Sequence, residues 1–388
     1  MTRRLLFLTE RYPPDVGGVA ASAGRISRTL AAMDLEADVV TWTRGLEPGM
    51  VVSDPGRPAV YRMGRFREWS STLPHALNLL DWLIARHPYD AVWGHYLFPA
   101  GFLAAWLARS KGGAGKIRSA VSIRGNDLDR DMFPPGDFAR LLWTLEHADC
   151  ITAVTTELAA KAAALSGRVD VMTIRNVVDT DRFAPATNHD SAADRARLGI
   201  APEETVLGFC GELREKKGQR FLLDALRRVR ETRPACLLVI GEARPSIVPE
   251  LLGFDAEATL EGQRIVITGH LNDPAQVNAH LQLCDVYLQP SLWDGMPNAL
   301  LEAMAAGCLC IASDAGGNPE LITDGVHGVL LPRWELARLG DVALKWLDAD
   351  PRERQRLRTA GRARMIAEFN AGVERSQLAA VLDRLMPG

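Results

Sequence analysis

The chain has 388 residues, 47% hydrophobic and 24% charged, and its 45 basic and 48 acidic side chains give a net charge of -3. That length accommodates two domains with sizeable cores, and the composition is that of an ordinary globular protein. The near-balanced charge leaves no overall basic footprint for nucleic acid. No run reaches the roughly 18 apolar residues of a membrane span. Leu5 to Leu8 is too short for a signal peptide and reads as a buried first strand. The six cysteines lack any C-x-x-C spacing and lie mostly in apolar runs. They read as buried thiols of a reducing compartment, which makes a cytoplasmic location the expectation.

Strands and helices alternate along the chain, the pattern of parallel sheets covered by helices. Strands are expected at Leu5–Thr9, Ala37–Thr41, Ala91–Trp93, Ala120–Ile123, Cys150–Val154 and Met172–Ile174. Helices fall at Ala20–Met33, Pro99–Arg109, Phe138–Glu146 and Thr156–Ser166. A polar, proline-containing stretch from Phe183 to Glu204 then reads as a linker, with a domain boundary near residue 185. Beyond it strands are expected at Val206–Cys210, Cys236–Ile240, Ile265–Thr268, Val286–Leu288, Cys310–Ala312 and Gly328–Leu330, with an amphipathic helix at Gln219–Arg230.

The densest signal is QPSLWDGMPNALLEAMAAGCLCIASDAGGNPELITDGVHGVLLP, residues 289–332. A strand runs into a Pro-Ser turn, a Gly-Met-Pro-Asn loop and a helix, with Asp294 before the helix and Glu302 inside it. A strand feeding a helix N-terminus aims backbone N–H groups and a positive dipole end at the strand's carboxyl edge, where α/β sheets bind phosphates. Two acids beside phosphate repel it unless they read hydroxyls, so the combination points to a nucleotide-sugar. Asn298 reads as the cap of this helix.

This segment resembles the signature of the retaining glycosyltransferases of family 4, group 1, of bacterial type. Asp294-Gly295-Met296-Pro297-Asn298, Glu302 and Gly316-Gly317-x-x-Glu320 match, with Asp at 294 where the family has Glu. Arg175-Asn176-Val177-Val178-Asp179 with Phe183, Gly211 to Gly218 (GELREKKG), and the opening strand with Gly17-Gly18-Val19 are similar to further motifs in the family's order. The resemblance covers nearly the whole chain. It implies the GT-B fold: α/β, two Rossmann-like domains with parallel sheets facing across a deep cleft. The acceptor-side domain would be residues 1–185 and the donor-binding domain 186–369, with the C-terminal helix 370–388 packing back on the first.

The resemblance also implies roles. Lys217 would neutralise the leaving diphosphate; Arg214 would supply the charge that the family places where this chain has Glu212, an acid that must then turn elsewhere. Asp294 would bond donor-sugar hydroxyls and Glu302 the ribose diol. Donor contacts are expected from Gly17, Gly18, Gly211, Gly241, Gly269, Met296, Pro297, Asn298, Ala299 and Leu300. His95, at a strand's carboxyl end, would donate a hydrogen bond to the sugar. Arg124, Asn126 and Asp127 lie on the acceptor side; Arg124 and Asp127 either touch ligand or pair with each other.

The expected reaction is retaining transfer from a nucleoside diphosphate sugar, UDP-linked, to an acceptor hydroxyl, without cofactor or metal. Rival readings are a catalytically weak nucleotide-sugar-binding protein, and a phosphorylase or epimerase on the same scaffold. The acceptor, whether carbohydrate, lipid-linked or a small molecule, stays open. So do the oligomeric state and a peripheral membrane contact through Arg65, Arg67, Trp69, Leu73 and Leu77; the other reading of that segment is a helix packed on its own domain.

Overall fold

A computed structural model describes residues 3–33, 35–111, 117–125, 127–185, 191–247 and 265–387. It divides into two compact units, 1–176 with 374–388, and 177–373.

The first unit is built on eight strands: β1 (Arg4–Thr9), β2 (Glu36–Thr43), β3 (Val51–Asp54), β4 (Ala59–Gly64), β5 (Ala91–His95), β6 (Arg118–Ile123), β7 (Cys150–Ala153) and β8 (Met172–Thr173). They lie in the order β3-β4-β2-β1-β5-β6-β7-β8. All neighbours are parallel except β3 and β4, a hairpin turning through Pro55 to Pro58. Sequence reasoning missed that hairpin, although Asp54-Pro55-Gly56 between Val51-Val52 and Val60-Tyr61 is a turn signal. β3 is short and largely exposed, as an edge strand can be. The central strands read as unbroken apolar runs, such as Leu5-Leu6-Phe7-Leu8, because helices cover both faces.

The helix Ala371–Leu385 buries Leu378, Val381, Leu382 and Leu385 in one core with Leu5, Phe7 and Ile174. Its first turn carries Glu374, fully buried, which accepts a hydrogen bond from Arg25 Nε at 2.8 Å. In the helix Trp69–Arg86, Trp69, Leu73 and Leu77 pack against the core around Leu80, so its apolar side faces its own unit.

The second unit holds β9 (Thr205–Cys210), β10 (Ala235–Ile240), β11 (Ile265–Ile267), β12 (Val286–Gln289), β13 (Cys310–Ser313) and β14 (Val329–Leu331), all parallel, in the order β11-β10-β9-β12-β13-β14. The contact boundary at 176/177 precedes the polar stretch, because Val177, Val178 and Phe183 are buried in the second unit and Val178 N–H bonds Phe369 O at 2.9 Å. Part of that stretch, Ser191–Arg197, forms a short helix. All six cysteines are free and buried. Among the described residues no helix is long and apolar enough to cross a membrane.

In each sheet the chain starts at a central strand, works outward on one side, then returns to the other. These reversals lie between β1 and β5 and between β9 and β12. At such a point the two connections leave in opposite directions and open a crevice at the carboxyl ends, where α/β sheets take their ligands.

Candidate active site

In the second unit the reversal is lined by the motif residues. β9 ends at Gly211 (φ 123) and β10 at Gly241 (φ 144), backbone conformations that disfavour any side chain. A Cβ on Gly241 would lie 2.4 Å from Gly211 O, so the two exits touch backbone to backbone. Gly241 N–H donates to Thr268 Oγ1 at 3.1 Å, and that hydroxyl donates to Gly269 O at 2.8 Å. Gly211, Gly241 and Gly269 thus stand in a row along the sheet edge.

After Gly211 the chain makes one 3-10 turn, Glu215–Lys217, and Gly218 (φ 76) starts the helix Gln219–Arg230. A Cβ at Gly218 would fall 1.9 Å from Pro290 O, and Leu292 N–H bonds Lys216 O at 2.9 Å. These close approaches carry Lys217 to the β12 exit, where its ammonium pairs with Asp294. Both side chains are only 14% exposed. Burial raises the Asp294 carboxyl, but the charge and hydrogen bond of Lys217, with Lys216 behind, outweigh it and hold the group below its ordinary value. Burial also draws the Lys216 ammonium down, against the pull of Asp294 and with the neighbouring cations.

Asp294 also terminates a buried hydrogen-bond chain. Tyr287 OH donates to Gln289 Oε1 (2.8 Å), Gln289 Nε2 to Ser291 Oγ (3.0 Å), and Ser291 Oγ to Asp294 Oδ2 (3.4 Å). Residues 287, 289 and 291 alternate along β12 and its exit, so strand periodicity puts them on one face. Gly316 packs beneath: a Cβ there would sit 1.8 Å from Asp294 O, and Gly317 N–H bonds Gly295 O at 2.6 Å.

The helix after this loop is Asn298–Ala305, with Pro297 in the cap position and no side-chain cap. Asn298 is therefore the first helical residue, not the cap; Pro297 already has the extended backbone of the preceding position, and the buried Asn298 Oδ1 has no partner. Helix geometry leaves the first-turn N–H groups without intrahelical acceptors. Met296, Pro297 and Leu300 are buried, while Asn298 and Ala299 are partly exposed. Glu302, half-buried one turn in, is close enough for its charge to add to the burial that raises the Cys210 thiol at the end of β9.

Glu212 is neutralised locally. It forms ion pairs with Arg214 (3.1 Å) and with both Nε and Nη2 of Arg244 (3.1 and 3.0 Å). The β9 and β10 exits are zipped by a parallel Leu213–Ala243 bridge, which puts Glu212 and Arg244 diagonally across it on the same face. Arg244 was not read from the sequence, because nothing local ties it to Glu212, 32 residues earlier. Among the described residues no group of three His, Cys, Asp or Glu side chains is arranged to hold a metal ion.

In the first unit, Gly17 (φ 127) and Gly18 are exposed and start the helix Gly18–Ala31 after β1. His95 ends β5 across the reversal. It is fully buried rather than presented at the surface, with Nε2 2.9 Å from Ser22 Oγ. Burial, then the charges of Arg124 and Arg25, push its imidazole well below the ordinary value, so it is neutral. Tyr96, next in the chain, has φ 93, uncommon for a residue with a side chain. Arg124 and Asp127 do not pair side chain to side chain. The Asp127 carboxylate accepts from the N–H groups of Gly125 (2.9 Å), Leu97 (3.2 Å) and Arg124 (3.3 Å). Arg124 donates to Ile174 O and to Asn176 Oδ1. Burial raises Asp127 to about 6 despite those N–H groups. Asn126 lies outside the described residues.

Family comparison agrees with this geometry. The model of the glycosyl transferase 4-like domain matches residues 17–177 and that of the glycosyl transferases group 1 matches residues 204–348. The alpha-maltose-1-phosphate synthase of Mycobacterium tuberculosis is 30% identical over 95% of either chain. This chain is a group 1, family 4 glycosyltransferase. A GDP-mannose-dependent monoacylated alpha-(1-6)-phosphatidylinositol monomannoside mannosyltransferase of Corynebacterium glutamicum is 26% identical to this glycosyltransferase over 98% of either chain. Among solved structures, sucrose-phosphate synthase from Thermosynechococcus elongatus superposes with a TM-score of 0.82 at 18% identity, covering 99% of both. Anabaena Alr3699/HepE in complex with UDP-glucose superposes at 0.77 and 19% identity, covering 98% of this chain and 99% of that one. At those identities the likeness establishes the GT-B fold of the glycosyltransferase: two Rossmann-like domains with mostly parallel sheets.

Proposed function

We propose that the second unit binds a nucleoside diphosphate sugar, that the enzyme transfers the sugar to an acceptor hydroxyl with retention, and that no metal takes part. The observation that carries this reading is the convergence of Lys217, Lys216 and Arg214 with the uncapped helix Asn298–Ala305 at the β9/β12 reversal. Fixed cations and helix N–H groups stabilise the charge that grows on a departing diphosphate, the task a divalent ion performs elsewhere. Asp294 and Glu302 then accept from sugar and ribose hydroxyls. The Asp294–Lys217 contact keeps that acid ionised and so always an acceptor. A departing phosphate oxygen serves as base for the acceptor hydroxyl on the same face of the sugar, with no covalent intermediate on a carboxylate.

Uridine is the expected base of the donor. GDP-mannose is the second reading, favoured by relatives named for it. The acceptor class spans a lipid-linked sugar and a sugar phosphate, following those relatives and the maltose-1-phosphate synthase.

The test is thermal stabilisation by UDP, GDP and ADP and their glucose and mannose conjugates, with Glu302→Ala alongside. One nucleotide should raise Tm in the parent and not in the variant. Slow hydrolysis of the stabilising conjugate, followed by NMR at the first turnover and repeated in chelator, should release the α-anomer from an α-linked donor at an unchanged rate. A β-anomer removes retention, and loss of turnover in chelator removes metal independence.

A further inference from the structure

The helix Pro351–Glu368 carries six arginines against two glutamates. Arg354, Arg358 and Arg362 recur every four residues and so share one face of it. Arg364 reaches Glu368 at 3.5 Å, whereas among the described residues none of those three pairs with a carboxylate. Arg358 and Arg362 instead hold the carboxyl end of the helix Asn298–Ala305 and the chain beside it. Arg358 Nε donates to Gly307 O at 2.7 Å. Arg362 donates to Ala305 O, to Phe183 O at 2.9 Å and to Thr180 O at 3.3 Å. A helix C-terminus carries roughly half a negative charge, so two full guanidinium charges leave a surplus of about one and a half.

That surplus borders a groove of about 400 Å³, the size of a small-ligand site. Arg358, Arg362, Gln355, Thr359, Pro185 and Ile366 line it, and no acid does. Its donors are unspent. Arg358 Nη1 and Nη2 make no hydrogen bond among the described residues. Thr359 Oγ1 accepts from Gln355 Nε2 at 3.1 Å, which leaves its hydroxyl proton to give. Pro185 and the half-exposed Ile366 add an apolar wall.

We infer that this groove is a second anion site, which takes the phosphate monoester of a small soluble molecule. A monoester carries about −1.5 to −2 charges near pH 7, the magnitude of the surplus. Its oxygens accept from the Arg358 fork and the Thr359 hydroxyl, and the apolar wall takes the carbon skeleton. The site is separate from the donor crevice. It lies at the carboxyl end of the helix whose amino end faces the donor, about 12 Å off for eight residues. Nothing in it depends on the transferase reading.

The probe is glycerol 3-phosphate, titrated by calorimetry into the full chain and two variants, with thermal melts alongside. Phosphate drawn to Lys217 contributes alike to all three, so the difference between them is what is read. Thr359→Glu sets a carboxylate in the groove from an exposed position and leaves the Arg358–Gly307 contact intact. Arg358→Gln removes the charge. Both should bind the probe at least about tenfold more weakly than the parent, the loss expected for a charge-assisted pair of hydrogen bonds. Thr359→Glu, a tethered counter-ion, should also melt higher than the parent. Equal titrations in all three proteins overturn the inference. So does an Arg358→Gln protein that melts lower yet binds the probe as the parent does, since Arg358 then only caps the helix. Vesicles of phosphatidylcholine with phosphatidic acid separate the two sources of a monoester. Sedimentation with them that both variants lose, while glycerol 3-phosphate binds none of the three, assigns the groove to a lipid headgroup and overturns the soluble ligand.

Discussion

The two sheet reversals occupy equivalent places in their units and are furnished in opposite ways. Beside β9 and β12 the side chains are ionised and paired: Lys217 with Asp294, Glu212 with Arg214 and Arg244. Beside β1 and β5 the central contact is neutral, Ser22 with His95, and the nearby arginines are bound to Glu374 and Asn176. A parallel sheet dictates where a ligand is taken; the residues just past the strand ends dictate what kind. Fixed charges suit a diphosphate, whereas a neutral buried pair adds no charge to its crevice.

The sharpest way to break this contrast is Lys217→Ala. Loss of a preorganised cation should lower kcat about 100- to 1,000-fold. It should also cost about 3 kcal/mol of stability, because Asp294 stays buried without its counter-charge. Unchanged turnover in steady-state assays would remove the phosphate role.

Next is the pH response of the first unit. Asp127 rises from 3.8 to about 6 on folding, so the native state favours its protonated form. Its contribution is full below pH 4 and is lost as pH rises through 6, a swing of roughly 3 kcal/mol. Asp127→Asn should flatten the stability profile between pH 4 and 6 in urea titrations, and an identical slope in both proteins would contradict the assignment.

Glycine substitutions compare the two reversals directly. In Gly316→Ala a Cβ meets Asp294 O, so about 2 kcal/mol of stability and much of the activity should go together. Gly17→Ala has the same kind of backbone problem, φ 127, but open space around it; about 1 kcal/mol of strain is the expected cost. Thermal melts that rank the pair the other way would show that the second-unit loops yield more than their contacts imply. The smallest effect belongs to Arg244→Ala, whose pair with Glu212 is half-exposed. Stability should change by under about 1 kcal/mol, while KM for the donor rises a few-fold as Glu212 is left with Arg214 as its one remaining described ion pair and draws on the charge meant for phosphate.

Local signals carried much of the fold. The helices Thr156–Ser166 and Gln219–Arg230 were legible to the residue because a Thr cap, an αL glycine and a polar loop mark their ends. The glycines of the β9 and β12 exits were legible as a pattern. Partnerships across the chain were not: Lys217 and Asp294 are 77 residues apart, and Ser22 and His95 are 73 apart. Sequence reasoning assigned ligands to Lys217, Asp294 and His95, did not single out Ser22, and gave none of them its protein partner. It also placed Asn298 at the cap by residue type, where Pro297's extended backbone decides the matter.

One feature of the first unit bears on how the protein can be taken apart. Its core includes Leu378, Val381 and Leu382 from the last helix, and Arg25 holds both Asn176 and Glu374, the residues at which the chain leaves this unit and returns. A fragment ending at Asn176 would expose the apolar faces of Leu5 and Phe7 and leave Arg25 without its acid. To be isolated, this half needs residues 374–387 joined back after Asn176 by a short linker, an internal deletion rather than a truncation. Residues 177–373 run without interruption and can be cut out whole, which makes the charged half the one to express alone and titrate with nucleotides.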